Sequence, residues 1–267
     1  MTLPLPVTAL VPAGRRPGRD PLAEHFGVSF KAIIPVGGEP MVGRVVRALL
    51  ATPGIGRVVL LTQEPELLMT HPDLTWLADD PRVGFRTSRE SISASVLDAM
   101  AALDGDGSPL LLTTADHALL TPAMVASFLT PAVASGADLA VGFVEQATLL
   151  ARYPLSRRTW LKFRGGWYSG ANLFLFRDPG ARAALELWRE VEQDRKKVWK
   201  IFARFGPWLF LRMLTRSISL PAAFAAAGRR LGLTAIPVVM AEAEACIDVD
   251  KPDDHMLVEQ ILKDRAP

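Results

Sequence analysis

Three groups of residues in this 267-residue chain have the types and spacing to do chemistry. The first is the loop Ala13-Gly14-Arg15-Arg16-Pro17-Gly18-Arg19, which follows a short apolar run from Val7 to Val11. Glycines let a backbone approach a ligand closely and turn its N–H groups toward phosphate oxygens. Arginines add forked donors suited to a polyphosphate. Lys31 precedes a second apolar run, Ala32–Val36, and then Gly37-Gly38. A lysine there can act as a compact charge on the same ligand.

The second group centres on Asp116, directly after the apolar run Pro109–Thr113. An acid at the carboxyl end of a central strand can meet a cation that bridges bound phosphates. Mg²⁺ takes one or two carboxylates and completes its octahedron with phosphate oxygens and water. A helix cap or turn is the bland alternative for Asp116. The third group is Asp248-Val249-Asp250. Strand alternation would put both carboxylates on one side, within reach of one cation. Pro252-Asp253-Asp254 then starts the last helix, where acids favour the dipole, a structural role for these two. Neither G-x-x-x-x-G-K-[ST] nor G-x-G-x-x-G can be read anywhere near the first loop, which disfavours a P-loop ATPase and a dinucleotide-binding domain.

Such groups need a scaffold. Strand-like runs at Val7–Val11, Ala32–Val36, Arg57–Thr62, Pro109–Thr113, Asp138–Phe143 and Gly170–Phe176 alternate with helix-like stretches. The helices are expected from about Met41 to Ala51, Ser91 to Leu103, after Thr121-Pro122, and from Ala181 to about Arg204. This alternation predicts an α/β fold, a Rossmann-like, doubly wound and mainly parallel sheet, within one domain spanning 1–267. Its ligand site should lie beyond the carboxyl ends of the strands.

Bulk properties agree with a soluble enzyme-sized domain. Hydrophobic residues make up 49% of the chain, enough for a sizeable core, and the net charge of +2 excludes nothing. A single cysteine, Cys246, excludes an intramolecular disulfide framework and points to a reducing cytosol. Met1-Thr-Leu-Pro-Leu-Pro lacks a signal-peptide pattern, and no apolar run reaches transmembrane length. The expected location is cytoplasmic. His25, His71, His117 and His255 are scattered without ligand spacing.

The order Ala13-Gly14, an arginine soon after, then Lys31 and Pro35-x-Gly-Gly-x-Pro40-Met41 resembles the nucleotidyltransferase superfamily. That superfamily includes molybdenum cofactor guanylyltransferases, the isoprenoid-pathway cytidylyltransferase and sugar-1-phosphate nucleotidyltransferases. The resemblance implies a nucleotide-diphospho-sugar transferase type of fold. It also implies Mg²⁺-dependent transfer of NMP from an NTP, CTP or GTP, to a phosphorylated small-molecule acceptor, with release of pyrophosphate. By the same resemblance Arg16 and Lys31 are catalytic, and Ala13, Gly14, Arg15, Gly18 and Arg19 bind the nucleotide. Arg16 stands where the family has its second glycine. Asp116 and Asp250, with Asp248, match the metal positions, although Ala118 replaces the family's proline. Ser93 and Ser95 fall where cytidylyltransferases touch base and ribose, and could equally be helix caps. Tyr168, Gly170 and Asn172 match the segment that frames the acceptor, and Arg157, Arg158, Lys162 and Arg164 could receive its phosphate. Two other readings compete: a glycosyltransferase using Asp248-x-Asp250 for its metal, and a non-catalytic membrane-associated nucleotide-binding module.

One feature lies outside the resemblance. From Arg195 to Ala241 there is no acidic residue, while Arg195, Lys196, Lys197, Lys200, Arg204, Arg212, Arg216, Arg229 and Arg230 interleave with aromatics. This basic, helical insertion, 195–241, suggests contact with an anionic membrane surface or a lipid-linked substrate, peripheral to the inner face of the membrane. Packing on the protein's own sheet, or a homodimer interface, would also suit it. No nucleic acid partner is expected, since no recognised motif accompanies the charge.

Overall fold

The computed structural model describes residues 6–15, 18–103, 109–177, 179–193 and 206–265. The chain winds through β1 (Val7–Pro12), α1 (Pro21–His25), β2 (Pro35–Val36), β3 (Glu39–Pro40), α2 (Met41–Leu50), β4 (Ile55–Thr62), α3 (Pro65–Met69), α4 (Trp76–Asp79) and β5 (Val83–Thr87). It continues through α5 (Ile92–Leu103), β6 (Leu110–Leu112), α6 (Pro122–Ala134), β7 (Leu139–Glu145), α7 (Gln146–Arg152), β8 (Leu161–Phe163), β9 (Gly166–Phe176) and α8 (Arg182–Gln193). The last elements are α9 (Pro207–Leu214), α10 (Leu220–Leu231), β10 (Ala235–Met240) and α11 (Pro252–Arg265).

One sheet runs in the order β10-β7-β9-β6-β1-β4-β5, with β8 attached to β9. The pairs β1·β4, β1·β6, β4·β5 and β10·β7 are parallel, and only those made by β9 are antiparallel. Helices cover both faces, so the inner strands are apolar runs rather than alternating ones. Successive residues of β1 show the two-sided burial. Ala9 and Val11 join the core with α2 and α6, whereas Leu10 faces the opposite core with Val96 and Leu185. β1 pairs with β4 on one side and β6 on the other, so the chain changes direction across the sheet there. The crevice beyond the ends of β1 and β6 is the switch point where open α/β sheets bind ligands.

The mainly parallel, doubly wound arrangement agrees with the alternation in the sequence. Two expected strands differ. Ala32–Val36 is not a sheet strand: Lys31–Ile33 form a 3-10 turn, and β2 and β3 make a two-residue hairpin. Gly37 and Gly38 both have positive φ, +59° and +78°, as a type I′ turn requires. Residues 247–250 lie outside any strand. The expected long helix ends, among the described residues, at Gln193, and 195–205 lie outside them. The acid-free segment closes in β10, which forms the sheet edge, so only residues 207–214 and 220–231 of it are described as helix.

Candidate active site

Asp116 follows β6 because the chain leaves the sheet pinned to β1: Thr113 N–H donates to Leu10 and Ala115 N–H to Pro12. The loop beyond is clamped from outside, with Arg44 Nε donating to the Ala118 carbonyl at 3.1 Å and Arg265 reaching that of Leu119 at 3.4 Å. Across the crevice, residues 247–250 run extended. Ile247 and Val249 are fully buried and the two aspartates turn the other way. The alternation expected of a strand therefore holds without one. Its partner is the Asp116 loop, through a hydrogen bond from Val249 N–H to the Asp116 carbonyl at 3.1 Å.

Lys31 closes this arrangement. Its ammonium donates to Asp116 Oδ2 at 2.5 Å and also to Asp250 Oδ1. Burial alone would lower its pKa, but Asp116 and Asp250 outweigh burial and raise it. The hairpin behind Lys31 is tied to α11 by Glu259, which accepts from Gly37 N–H at 2.7 Å, and by His255, 2.8 Å from the Pro35 carbonyl.

Asp248 has different partners. The Arg158 guanidinium donates to its carboxylate and, at 3.2 Å, to its carbonyl, and then to Asp254 Oδ1 at 3.0 Å. Asn172 Nδ2 donates to Asp248 Oδ2 at 3.1 Å. Asn172 is aimed there by a β-bulge: the β7–β9 register jumps between Val141 and Phe143, and Asn172 takes φ +51°. Asparagine tolerates this left-handed conformation better than most residues. Burial, helped by Asp116 and Asp250 and opposed by Arg158, raises the pKa of Asp248. Asp254 Oδ2 accepts from the N–H groups of Asp250 and Lys251, a structural bond at the start of the helix.

The charges suit a divalent cation. Among the described residues, the ion pairs of Asp116, Asp248, Asp250 and Asp254 include Lys31 and Arg158, so four carboxylates gather around these two cations. The two oxygens gathered on one ammonium, from Asp116 and Asp250, are the number of carboxylates that Mg²⁺ takes beside phosphates and water. Among the described residues no three His, Cys, Asp or Glu side chains form a cage of their own. His117 is fully buried beside Asp116, and burial depresses its pKa to about 4, so it is neutral near pH 7 and adds no charge for a phosphate.

The remaining expected residues are placed as follows. Ala13 is buried and donates to Leu61 at 2.9 Å. Gly14 packs so tightly on Gln63 and Ser88 that a Cβ would collide with the Gln63 amide, which itself accepts from Arg15 N–H at 2.9 Å. Gly18 has φ +95° and open space around it. Arg15 pairs with Glu64 at 3.1 Å and Arg19 with Glu24 at 3.0 Å, so both side chains are engaged with carboxylates. Arg16 lies outside the described residues. Ser93 and Ser95 are buried at the start of α5. Ser95 Oγ donates to the Ser91 carbonyl and accepts from Arg89 N–H, and Ser93 Oγ lies 3.1 Å from Ser91 Oγ. The helix cap is Ser91, whose Oγ accepts from Ala94 N–H at 3.2 Å, while Ser95 bonds back one turn within the helix. Tyr168 packs on Phe163, and Gly170 has open space where a side chain would stand.

The structure thus unites Lys31, Asp116, Asp248, Asp250 and Asn172. Arg158 was expected among four cations that could receive the acceptor's phosphate. Its side chain is 8% exposed and held by Asp248 and Asp254, two half-buried carboxylates whose charge it offsets. Gln63 and Glu259, which brace the loop and the hairpin, carried no motif that could have marked them.

The family model of the MobA-like NTP transferase domain matches residues 21–205, starting just past the glycine–arginine loop. A hypothetical transferase from Thermus thermophilus, solved as a structure, is 30% identical with a TM-score of 0.76, matching 94% of this chain and 100% of that one. A CMP:2-keto-3-deoxy-manno-octonic acid synthetase complexed with CTP has a TM-score of 0.60 at 13% identity, covering 98% of this chain and 100% of its own. A 4-diphosphocytidyl-2C-methyl-D-erythritol synthase from Anaerococcus prevotii has a TM-score of 0.58 at 10% identity, covering 97% and 96% respectively. At these last two identities the likeness is one of fold. No curated protein matches the sequence.

Proposed function

This chain belongs to the MobA-like NTP transferase domain family, and we propose that it transfers NMP from CTP or GTP to a phosphorylated small molecule. An acceptor phosphate oxygen attacks the α-phosphorus in line. The new P–O bond forms as the bond from the α-phosphorus to the bridging oxygen breaks, and pyrophosphate leaves with the electron pair. A phosphate oxygen is already nucleophilic, so the chain needs no strong general base. Positioning and charge neutralisation carry the rate.

The observation that carries this reading is the convergence of Asp116 and Asp250 on the single cationic group of Lys31. Asp116 and Asp250 would hold Mg²⁺, which supplies charge neutralisation across the phosphates when bound. Lys31 is then free to turn toward the α-phosphate and the departing pyrophosphate, with Arg16 from the first loop. Ala13, Gly14 and Gly18 present backbone to the triphosphate. Asp248, held by Arg158 and Asn172, keeps Asp250 in register. Tyr168, Gly170 and Asn172 lie on the strand that would border the acceptor.

Pyrophosphate release, measured with each NTP against a panel of phosphorylated sugars, polyols and lipid-precursor alcohols, tests the proposal. Release with CTP or GTP and one phosphorylated acceptor is the expected outcome. Tight NTP binding with no release across the panel would overturn it in favour of a binding module.

A further inference from the structure

A small hydrophobic cluster around Val141 and Phe143 of β7 explains only part of α9. Leu209 is buried in it beside Phe163, Ile218 and Leu220, and Met213 packs against it one turn later. Among the described residues, the other side of the helix is apolar too and exposed. Trp208 is 69% exposed, Leu214 67% and Leu211 46%. A helix on a soluble protein normally turns polar residues outward. Here Arg212 is the one charged residue of α9, and Arg216 follows the helix.

The β8–β9 hairpin extends this face. It is fastened to the α9–α10 connection by Arg164 N–H donating to the Ile218 carbonyl at 2.8 Å. On it Leu161 is exposed on the strand face that carries Phe163 and Tyr168, while Trp167, with Lys162 Nζ 4.1 Å from its ring centre, is exposed on the opposite face. Along α9 and α10 the charge is of one sign, while Glu145 borders the hairpin at Tyr168. From Gly206 to Ala241 the sequence has no aspartate or glutamate and four arginines, Arg212, Arg216, Arg229 and Arg230.

We propose that α9 and the β8–β9 hairpin form a docking face for an anionic bilayer surface. Tryptophan and leucine enter the interface between headgroups and acyl chains, while arginines pair with anionic lipid headgroups. Charge complementarity selects this occupant over a second copy, because two copies meeting through this face would oppose arginine to arginine. The exposed side chains project from a helix, a form that suits a fluid interface needing no complementary shape. The hairpin continues along β9 into the proposed acceptor segment. The inference stands on its own if the nucleotidyl-transfer reading fails.

Flotation of the full chain with vesicles tests it, using phosphatidylcholine alone and phosphatidylcholine mixed with phosphatidylglycerol. The wild type should float with the anionic vesicles, and raising the salt should weaken binding. Trp208→Ser/Leu211→Ser/Leu214→Ser should reduce bound protein at least tenfold. Arg212→Gln/Arg216→Gln should do so at low lipid charge. All three apolar residues are exposed, so circular dichroism and pyrophosphate release in the absence of vesicles should match the wild type. No flotation by the wild type, or equal flotation with neutral vesicles, overturns the proposal. So does a dimer in sedimentation analysis that the triple variant dissolves while vesicles remain unbound.

Discussion

Val249 donates its backbone N–H to the carbonyl of Asp116 at 3.1 Å, so main chain joins two segments far apart in sequence. The carboxylates of Asp116 and Asp250 are therefore set facing each other by backbone rather than by their own side chains. Replacing either side chain should leave the scaffold in place. Asp116→Ala and Asp250→Ala are each expected to lower kcat by at least about a hundredfold. The thermal midpoint should stay near the wild-type value. Full activity in Asp116→Ala would remove this residue from the mechanism.

Lys31 offers a separate readout. Its ammonium occupies the space between the two acids, so in the absence of nucleotide it competes with a divalent cation. Lys31→Met removes that repulsion. About 1 kcal/mol is recovered even at water-like screening, a gain of at least about fivefold in affinity for Mn²⁺ by calorimetric titration. Turnover should nevertheless fall, because the phosphates lose their lysine. Weaker metal binding in the variant would contradict the competition.

These two predictions rest on residues whose place the sequence made legible. Short apolar runs such as Val7–Val11 and Pro109–Thr113 fit buried strands of a covered sheet, which puts Asp116, just after the second, at its carboxyl edge. Ala32–Val36 failed because Pro35 and the Gly37-Gly38 turn fold the run back on itself within four residues. Asp248 and Asp250 do share a side, as alternation requires, but pairing with a loop instead of a strand cannot be read from periodicity. The role of Arg158 was hidden because its two partners lie about ninety residues away. The aim of Asn172 was hidden because a bulge has no composition of its own.

Arg158 therefore makes a sharp stability prediction. Its guanidinium is shared by Asp248 and Asp254 in a mostly buried setting. Arg158→Ala leaves both carboxylates there without their cation, a loss of about 3–5 kcal/mol. Arg158→Lys keeps the charge and gives up the fork, so it should recover only part of that in urea unfolding. A variant as stable as the wild type would show that water had replaced the guanidinium without cost.

Asn172 separates backbone from side chain. Its φ of +51° is costly for alanine, roughly 1–2 kcal/mol, and free for glycine. Both changes remove the hydrogen bond to Asp248. Asn172→Gly should therefore retain most of the stability yet share the catalytic defect of Asn172→Ala. If glycine restores activity as well as stability, the side chain has no part in holding Asp248.

Tyr153 gives a pH test away from the carboxylate cluster. Its hydroxyl donates to the buried Glu244 at 2.5 Å, just ahead of the Asp248–Asp250 segment. Burial, then the hydrogen bond and charge of Glu244, push its pKa up from 10.0 to about 12. A raised value means that the folded state holds this proton more tightly than the unfolded chain does. The stabilisation is complete below pH 10 and is lost as the pH climbs from 10 toward about 12. Thermal midpoints measured across that window should fall more steeply for the wild type than for Tyr153→Phe, which has no proton to lose. Phenolate absorbance should lose its component near pH 12 in Tyr153→Phe, while Tyr168, also raised by burial and Glu145, titrates in both proteins. Parallel slopes for the two proteins would mean that Glu244 does not hold the proton, and that the segment before Asp248 is anchored by Arg152 and Arg265 instead.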